Sequence, residues 1–385
     1  MIVEETLKHD TSLDTHVLGN EEKMELRHEE SSVPHLARFA NKTQVVSTIA
    51  IAIVMWINMG LATDSPDYDV YLSRFNIMVN AAGFDDDINP SQMERGFVLA
   101  MWLGSRATTS FSVFLAVFSA LCIVFFVIVI RLFTSKPFIP LVYCFITSFP
   151  SYATQIRHFS GLPFCLLGIA WLLASKRKRN YVIYILFIVV ASQFHQVFWF
   201  FLILLLIRLP KRILYILCIC AALITPILYN WVVLNGFFVR LDRYEVESFD
   251  QVSTARSALL VLLAVVNLGA IYVRQRKIAP GPSSSLYTHI FTINLIVASL
   301  AVPMMFSNSN YIRLMWVANL LTFTFFQVPV MEKHPGQVSL NLGGFIVFIV
   351  ALLPTIYGVL TRGDSWLLIG MLKSSVVGQW MIQGV

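Results

Sequence analysis

Four consecutive basic residues, Lys176-Arg177-Lys178-Arg179, separate two apolar stretches. Each stretch has a lone polar group at the end away from them: Arg157 before the first and His195 after the second. Short loops rich in Lys and Arg stay on the cytoplasmic side of a bilayer. A cytoplasmic position for the cluster therefore carries Arg157 and His195 to the outer end, where they face one another. An arginine and a titratable histidine at membrane depth are costly, and such residues serve function by default. The pattern predicts a polytopic membrane protein with an outward-facing reactive or binding site. With 57% hydrophobic and 13% charged residues and a mean hydropathy of +0.71, no ordinary soluble domain fits. The expected fold is all-α and membrane-integral, with about 10–12 transmembrane helices, short or broken ones among them, around an outward-facing cavity.

Hydropathy predicts spans near Gln44–Ala62, Phe111–Ile130, Phe138–Phe149, Phe159–Ala174, Tyr181–Phe194, Val197–Ile207, Ile213–Leu234, Ala258–Val273, Leu286–Phe306, Leu314–Val330 and Leu340–Leu360. Residues 1–43 read as an acidic cytoplasmic arm without a signal peptide, disordered or loosely helical. Residues 44–361 form one membrane domain, and 362–385 a tail suited to an interfacial helix. With the N-terminus inside, nine of ten lysines but only nine of eighteen arginines are cytoplasmic. An outer face that keeps arginine suits two-pronged recognition of phosphate or carboxylate. The net charge of +6 thus comes from loop asymmetry and is no sign of nucleic-acid binding. All five cysteines lie in apolar segments without a CxxC partner, so neither a disulfide framework nor a zinc site is indicated.

The stretch Tyr181–Ile207 admits two readings. As one helix it would put Lys176–Arg179 and Arg208–Arg212 on opposite sides, against the charge rule. As two α-helical limbs it reaches only about 21 Å and about 17 Å at 1.5 Å per residue. We expect the hairpin, with His195 at a recessed tip in a water-filled cavity.

The first outer loop, 63–108, carries Asp67, Tyr71 and Phe75 every four residues, one face of a helix. It continues through Asp85-Asp86-Asp87, a solvated turn, to Met93-Glu94-Arg95-Gly96 and a short apolar run, Phe97–Leu103, that reads as a partly inserted helix. The second outer loop, 235–257, is aromatic and mixed in charge, as a mobile lid would be. No internal repeat, P-loop or dinucleotide fingerprint is visible.

Several of these residues resemble the EpsG-type branch of the Wzy polysaccharide polymerases. They are Asp67-x3-Tyr71-x3-Phe75, Glu94-x-Gly96-Phe97, Gln155-Ile156-Arg157, Ala191-Ser192-Gln193-Phe194-His195 and Tyr311-Ile312-Arg313. The resemblance covers roughly residues 45–330. It departs where an Arg before Asp67 is missing and where Gln196-Val197-Phe198 replace small residues. It implies joining of undecaprenyl-diphosphate-linked oligosaccharide units on the outer face of a bacterial cytoplasmic membrane, without cofactor or nucleotide sugar. A chain-length regulator and a flippase of the same pathway are candidate partners. His195, Asp67 and Glu94 are then candidate catalytic groups, and Arg157, Arg313, Tyr71, Gln155 and Arg95 candidate substrate contacts.

The chemistry fits those residue types. A departing diphosphate gains charge that arginine forks offset, and a neutral histidine can take the proton of an acceptor hydroxyl near pH 7. Two alternatives stay open. Asp67-Tyr68-Asp69 is a DxD, as metal-dependent transferases using polyprenyl-phosphate sugars carry in such a loop. A flippase or transporter would show paired halves with broken helices, and an acyltransferase using His195 is a more distant reading.

Overall fold

Val113, Val117, Leu121, Val124 and Ile128 recur at helical spacing and all stay exposed, so one whole face of their helix is apolar and uncovered by protein. Only hydrocarbon tolerates such a stripe. In the computed structural model every regular element among the described residues is a helix, and six of these are long and apolar enough to cross a bilayer. The structure describes residues 39–61, 67–81, 83–84, 93–149, 153, 155–234, 254–278, 282–305, 311–326, 345–353 and 356. The acidic arm up to residue 38, the Asp85–Asp87 run, most of the second outer loop and the tail lie outside them. The chain is an all-α polytopic membrane protein.

The helices are α1 (Lys42–Gly60), α2 (Tyr68–Asn80), α3 (Arg95–Ala107), α4 (Phe111–Ile130), α5 (Phe138–Thr147), α6 (Ile156–Ala174) and α7 (Lys178–Ser192). A 3₁₀ helix (Gln196–Arg208) follows, and then α8 (Lys211–Leu234), α9 (Thr254–Lys277), α10 (Pro282–Met305), α11 (Ile312–Phe326) and α12 (345–353). α1, α4 and α6 adjoin in turn, α6 pairs with α7, and α10 packs against α8, α9 and α11. Most of α11 is buried, which makes it the central helix of the second half.

The predicted hairpin is present, and its second limb is not short. Arg208 donates to the carbonyls of Leu172 (2.5 Å) and Ser175 (3.3 Å) at the end of α6. The 3₁₀ helix therefore returns to the side of Lys176–Arg179. At about 2.0 Å per residue its 13 residues rise about 26 Å, where an α-helix would give about 20 Å. The stretch is pinned at both ends, by Arg208 and by contacts of Gln196 described below, and the looser pitch covers the distance. Phe198, Phe201, Leu204 and Ile207 are buried at every third position, the repeat of a three-residue turn. Tyr184 of α7 donates to the Phe201 carbonyl and ties the two limbs together at mid-height.

Other contacts sort the loops into two ends. Ala40 N donates to Ser135 O (3.0 Å), and Arg131 lies over Phe39 at 4.2 Å, so the start of α1 meets the α4–α5 turn. Arg208 faces His289 at the start of α10, whose neighbour Tyr287 bonds to Phe325 at the end of α11. The basic loops thus gather at one end.

At the opposite end α2 and α3 lie across the top of α4. Phe75 stacks on Phe114 (5.2 Å), Phe114 on Phe118 (5.4 Å), and Phe97 meets Phe118 edge-on (5.9 Å). Such pairs contribute about 0.5–1.5 kcal/mol each beyond area burial. Arg106, at the end of α3, donates to Met78 O and to Ala81 O (2.8 Å) and so caps α2. This arginine of the first long loop thus joins two helices.

Candidate active site

Asp67, Tyr71, Glu94, Arg157, His195 and Arg313 meet at the end of the bundle away from the basic loops. Two of them come from the start of α2, Asp67 just before the helix and Tyr71 in its first turn. Tyr71 N donates to Asp67 O (3.0 Å) in the first turn, and Tyr71 and Phe75 bury the face predicted from their spacing. With its ring against Phe97 (5.3 Å), Tyr71 presents its hydroxyl to the Asp67 carboxylate at 3.2 Å. Burial raises the pKa of this phenol above its ordinary value; Arg157 opposes the shift and Asp67 adds to it. The hydroxyl therefore keeps its proton for Asp67.

Glu94 immediately precedes α3, on extended backbone. A helix start leaves N–H groups without helical partners. Here Gly96 N (2.9 Å) and Phe97 N (3.2 Å) both donate to the carbonyl of Gln193, in the turn between α7 and the 3₁₀ helix. Gly96 permits that approach: a Cβ at this position would lie 2.7 Å from Gln193 Cβ and 2.8 Å from its carbonyl oxygen. α3 is thereby seated on the turn that carries His195.

Arg157 lies in the first turn of α6, which begins three residues earlier than hydropathy suggests. Its Nη1 donates to Glu94 Oε2 at 2.8 Å and its Nε to the Tyr71 hydroxyl at 3.0 Å. The other Glu94 oxygen, Oε1, accepts from Gln196 N at 3.2 Å. The pair is only partly exposed, 18% for Arg157 and 11% for Glu94, so its Coulombic attraction is less screened than at an open surface.

His195 occupies the turn, outside both limbs. Its Nδ1 accepts from Val197 N (3.2 Å) and caps the 3₁₀ helix, while Nε2 faces Arg313 Nη1 at 3.1 Å. A guanidinium only donates, and a neutral ring has one lone pair, so it accepts from one of these two donors at a time, whereas a ring protonated on both nitrogens would oppose both. Burial, followed by His158, Arg313 and Arg157, holds the His195 pKa well below the usual histidine value. The imidazole is neutral at pH 7.

Two predicted residues take no part in these contacts. Arg95 is exposed in the first turn of α3. Gln155, just before α6, buries its side-chain oxygen without a hydrogen-bond partner among the described residues. Asp69, the second acid of the DxD, is exposed, whereas Asp67 is bonded to Tyr71.

Other participants were not singled out from sequence. His158, fully buried, stacks on Phe198 (4.9 Å) and meets the His195 ring edge-on at 5.1 Å, with Trp316 6.1 Å away. A polar residue in an apolar helix next to Arg157 was its available signal. The backbone of Gln193 and Gln196 carried none, because main-chain donors and acceptors are present at nearly every residue.

Comparison with curated proteins and with solved structures gives no match. The family model described as EpsG family matches residues 45–369, from the start of α1 past α12. That range holds every residue of the cluster, and the chain accordingly belongs to the EpsG family, with the polysaccharide-polymerase-type role that membership implies.

Proposed function

We propose that the protein joins undecaprenyl-diphosphate-linked oligosaccharide units at the outer face of the bacterial cytoplasmic membrane. The observation that carries this reading is the meeting of two arginines, Arg157 and Arg313, with a neutral His195 at the end opposite the basic loops. Phosphate groups call for arginine forks, and a hydroxyl nucleophile calls for a base that is unprotonated at neutral pH.

In this reading Arg157 and Arg313 hold the diphosphate of the donor. In the tautomer with the ring proton on Nδ1, which gives up the bond from Val197 N, His195 Nε2 holds the ring's one lone pair, and Arg313 uncovers it as it turns to a phosphate oxygen. The hydroxyl oxygen of the acceptor sugar then attacks the anomeric carbon of the donor. A carbon–oxygen glycosidic bond forms, the bond to the diphosphate breaks, and its electron pair leaves on the diphosphate. The hydroxyl proton passes to His195. The arginines stabilise charge that grows only as the bond breaks, the kind of interaction that speeds the step itself. Tyr71, itself bonded to Asp67, braces Arg157 through Nε.

Cells carrying Arg157→Ala should make no polymer and accumulate single lipid-linked units, with the protein still in the membrane. Arg157→Lys should restore little, because a point charge lacks the two-pronged geometry. Near-normal polymer from the lysine variant would reduce Arg157 to a membrane anchor.

A further inference from the structure

Glu94 occupies a cradle made by other elements. One of its carboxylate oxygens takes the Arg157 Nη1–H from α6, the other the Gln196 N–H at the start of the 3₁₀ helix. Two donors from two elements, one a guanidinium and one a main-chain amide, converge on two oxygens of a single anion. Two oxygens of a phosphate could take the same donors. The carboxylate arrives from a third element, α3, whose start is fixed independently by Gly96 and Phe97 on Gln193 O. Rotation of the Glu94 side chain alone could empty the cradle without unseating the helix. Both members of the ion pair retain some exposure, so an anion can reach them from outside.

We infer that Glu94 is an internal stand-in for the substrate's phosphate, a positioning residue rather than the base. With no donor bound it supplies the countercharge that a partly buried Arg157 needs. It also holds Gln196, the neighbour of His195, through a main-chain N–H. An arriving diphosphate takes over Arg157 and the Gln196 amide and displaces the carboxylate. Loading of the donor and settling of the His195 turn thereby become one event. This inference rests on the proposed role of Arg157 as a phosphate ligand.

The test measures binding of farnesyl diphosphate to the full chain in lipid nanodiscs. Glu94→Gln keeps the shape but removes the competing charge, so it should bind about tenfold tighter, the scale of one charge-assisted hydrogen bond. Arg157→Ala should lose binding. If Arg157→Ala binds and Glu94→Gln binds no tighter than the unaltered chain, the stand-in role is wrong for the same reason the phosphate role is. If Arg157→Ala loses binding and Glu94→Gln gains none, only the stand-in role falls. Should Glu94→Gln fail to fold, infrared difference spectra of the unaltered chain with ¹³C-labelled glutamate decide the matter. Farnesyl diphosphate should shift a glutamate carboxylate band, and no shift would overturn the inference.

Discussion

Three features of His195 act in one direction: its burial, the Val197 N–H at Nδ1 and an arginine at Nε2. Together they keep the ring neutral, and the sign of the pH dependence follows. Its native pKa is lowered, so the active neutral form persists on the acid side of the ordinary histidine value of about 6.5. Polymerisation measured against pH should hold through that value and fall only as pH drops through the lower native one. His195→Gln keeps a hydrogen-bonding side chain but cannot take the proton, so it should lose about 10²- to 10⁴-fold in rate. A Gln variant close to wild type in rate and pH profile would leave His195 a cap and nothing more. Arg157 and His195 were legible in sequence because charged or titratable groups at the ends of apolar stretches are costly and therefore conspicuous, and Arg313 through the resemblance of Tyr311-Ile312-Arg313. His158 was less so, since a histidine beside an arginine reads as local polarity until the fold sets its ring against His195.

Among elements, the contact between α3 and the hairpin turn decides whether the site exists. Gly96→Ala would drive a methyl group into Gln193 backbone and Cβ, which cannot yield as a flexible side chain would. Overpacking of this kind costs about 1–3 kcal/mol, and here it would lift Glu94 and the His195 turn apart. Gly96→Ala should leave the protein in the membrane, lower its unfolding temperature and strongly reduce polymer; unchanged polymer would show that α3 need not sit on the turn. The face of α2 could be read ahead of the structure, because Asp67, Tyr71 and Phe75 recur every four residues. The 3₁₀ helix could not. Its buried triplet repeat at Phe198, Phe201, Leu204 and Ile207 is hidden among equally apolar neighbours, and assuming an α-helical rise made the limb look too short to cross.

The whole molecule is polarised, with basic loops at one end and arginine, histidine and carboxylates at the other. Its orientation can be read by labelling single cysteines at two exposed positions, Gln196 and Lys178. An impermeant reagent outside the cell should reach the cysteine at 196 and not the one at 178; the reverse would invert the molecule and exclude an outer-face reaction. The gathering of the basic loops at one end was legible from loop charge, whereas the joining of α2 and α3 to the top of α4 depends on aromatic contacts between distant segments. The central claim, transfer of a glycan off a lipid diphosphate, is met most directly by reconstitution. The purified chain in liposomes would be given undecaprenyl-diphosphate-linked repeat units, with chelator present and no nucleotide sugar. Expected is a ladder of polymer with one undecaprenyl diphosphate released for each bond formed, absent in His195→Gln. Polymer that requires a divalent metal, or that forms without release of the lipid diphosphate, would contradict it.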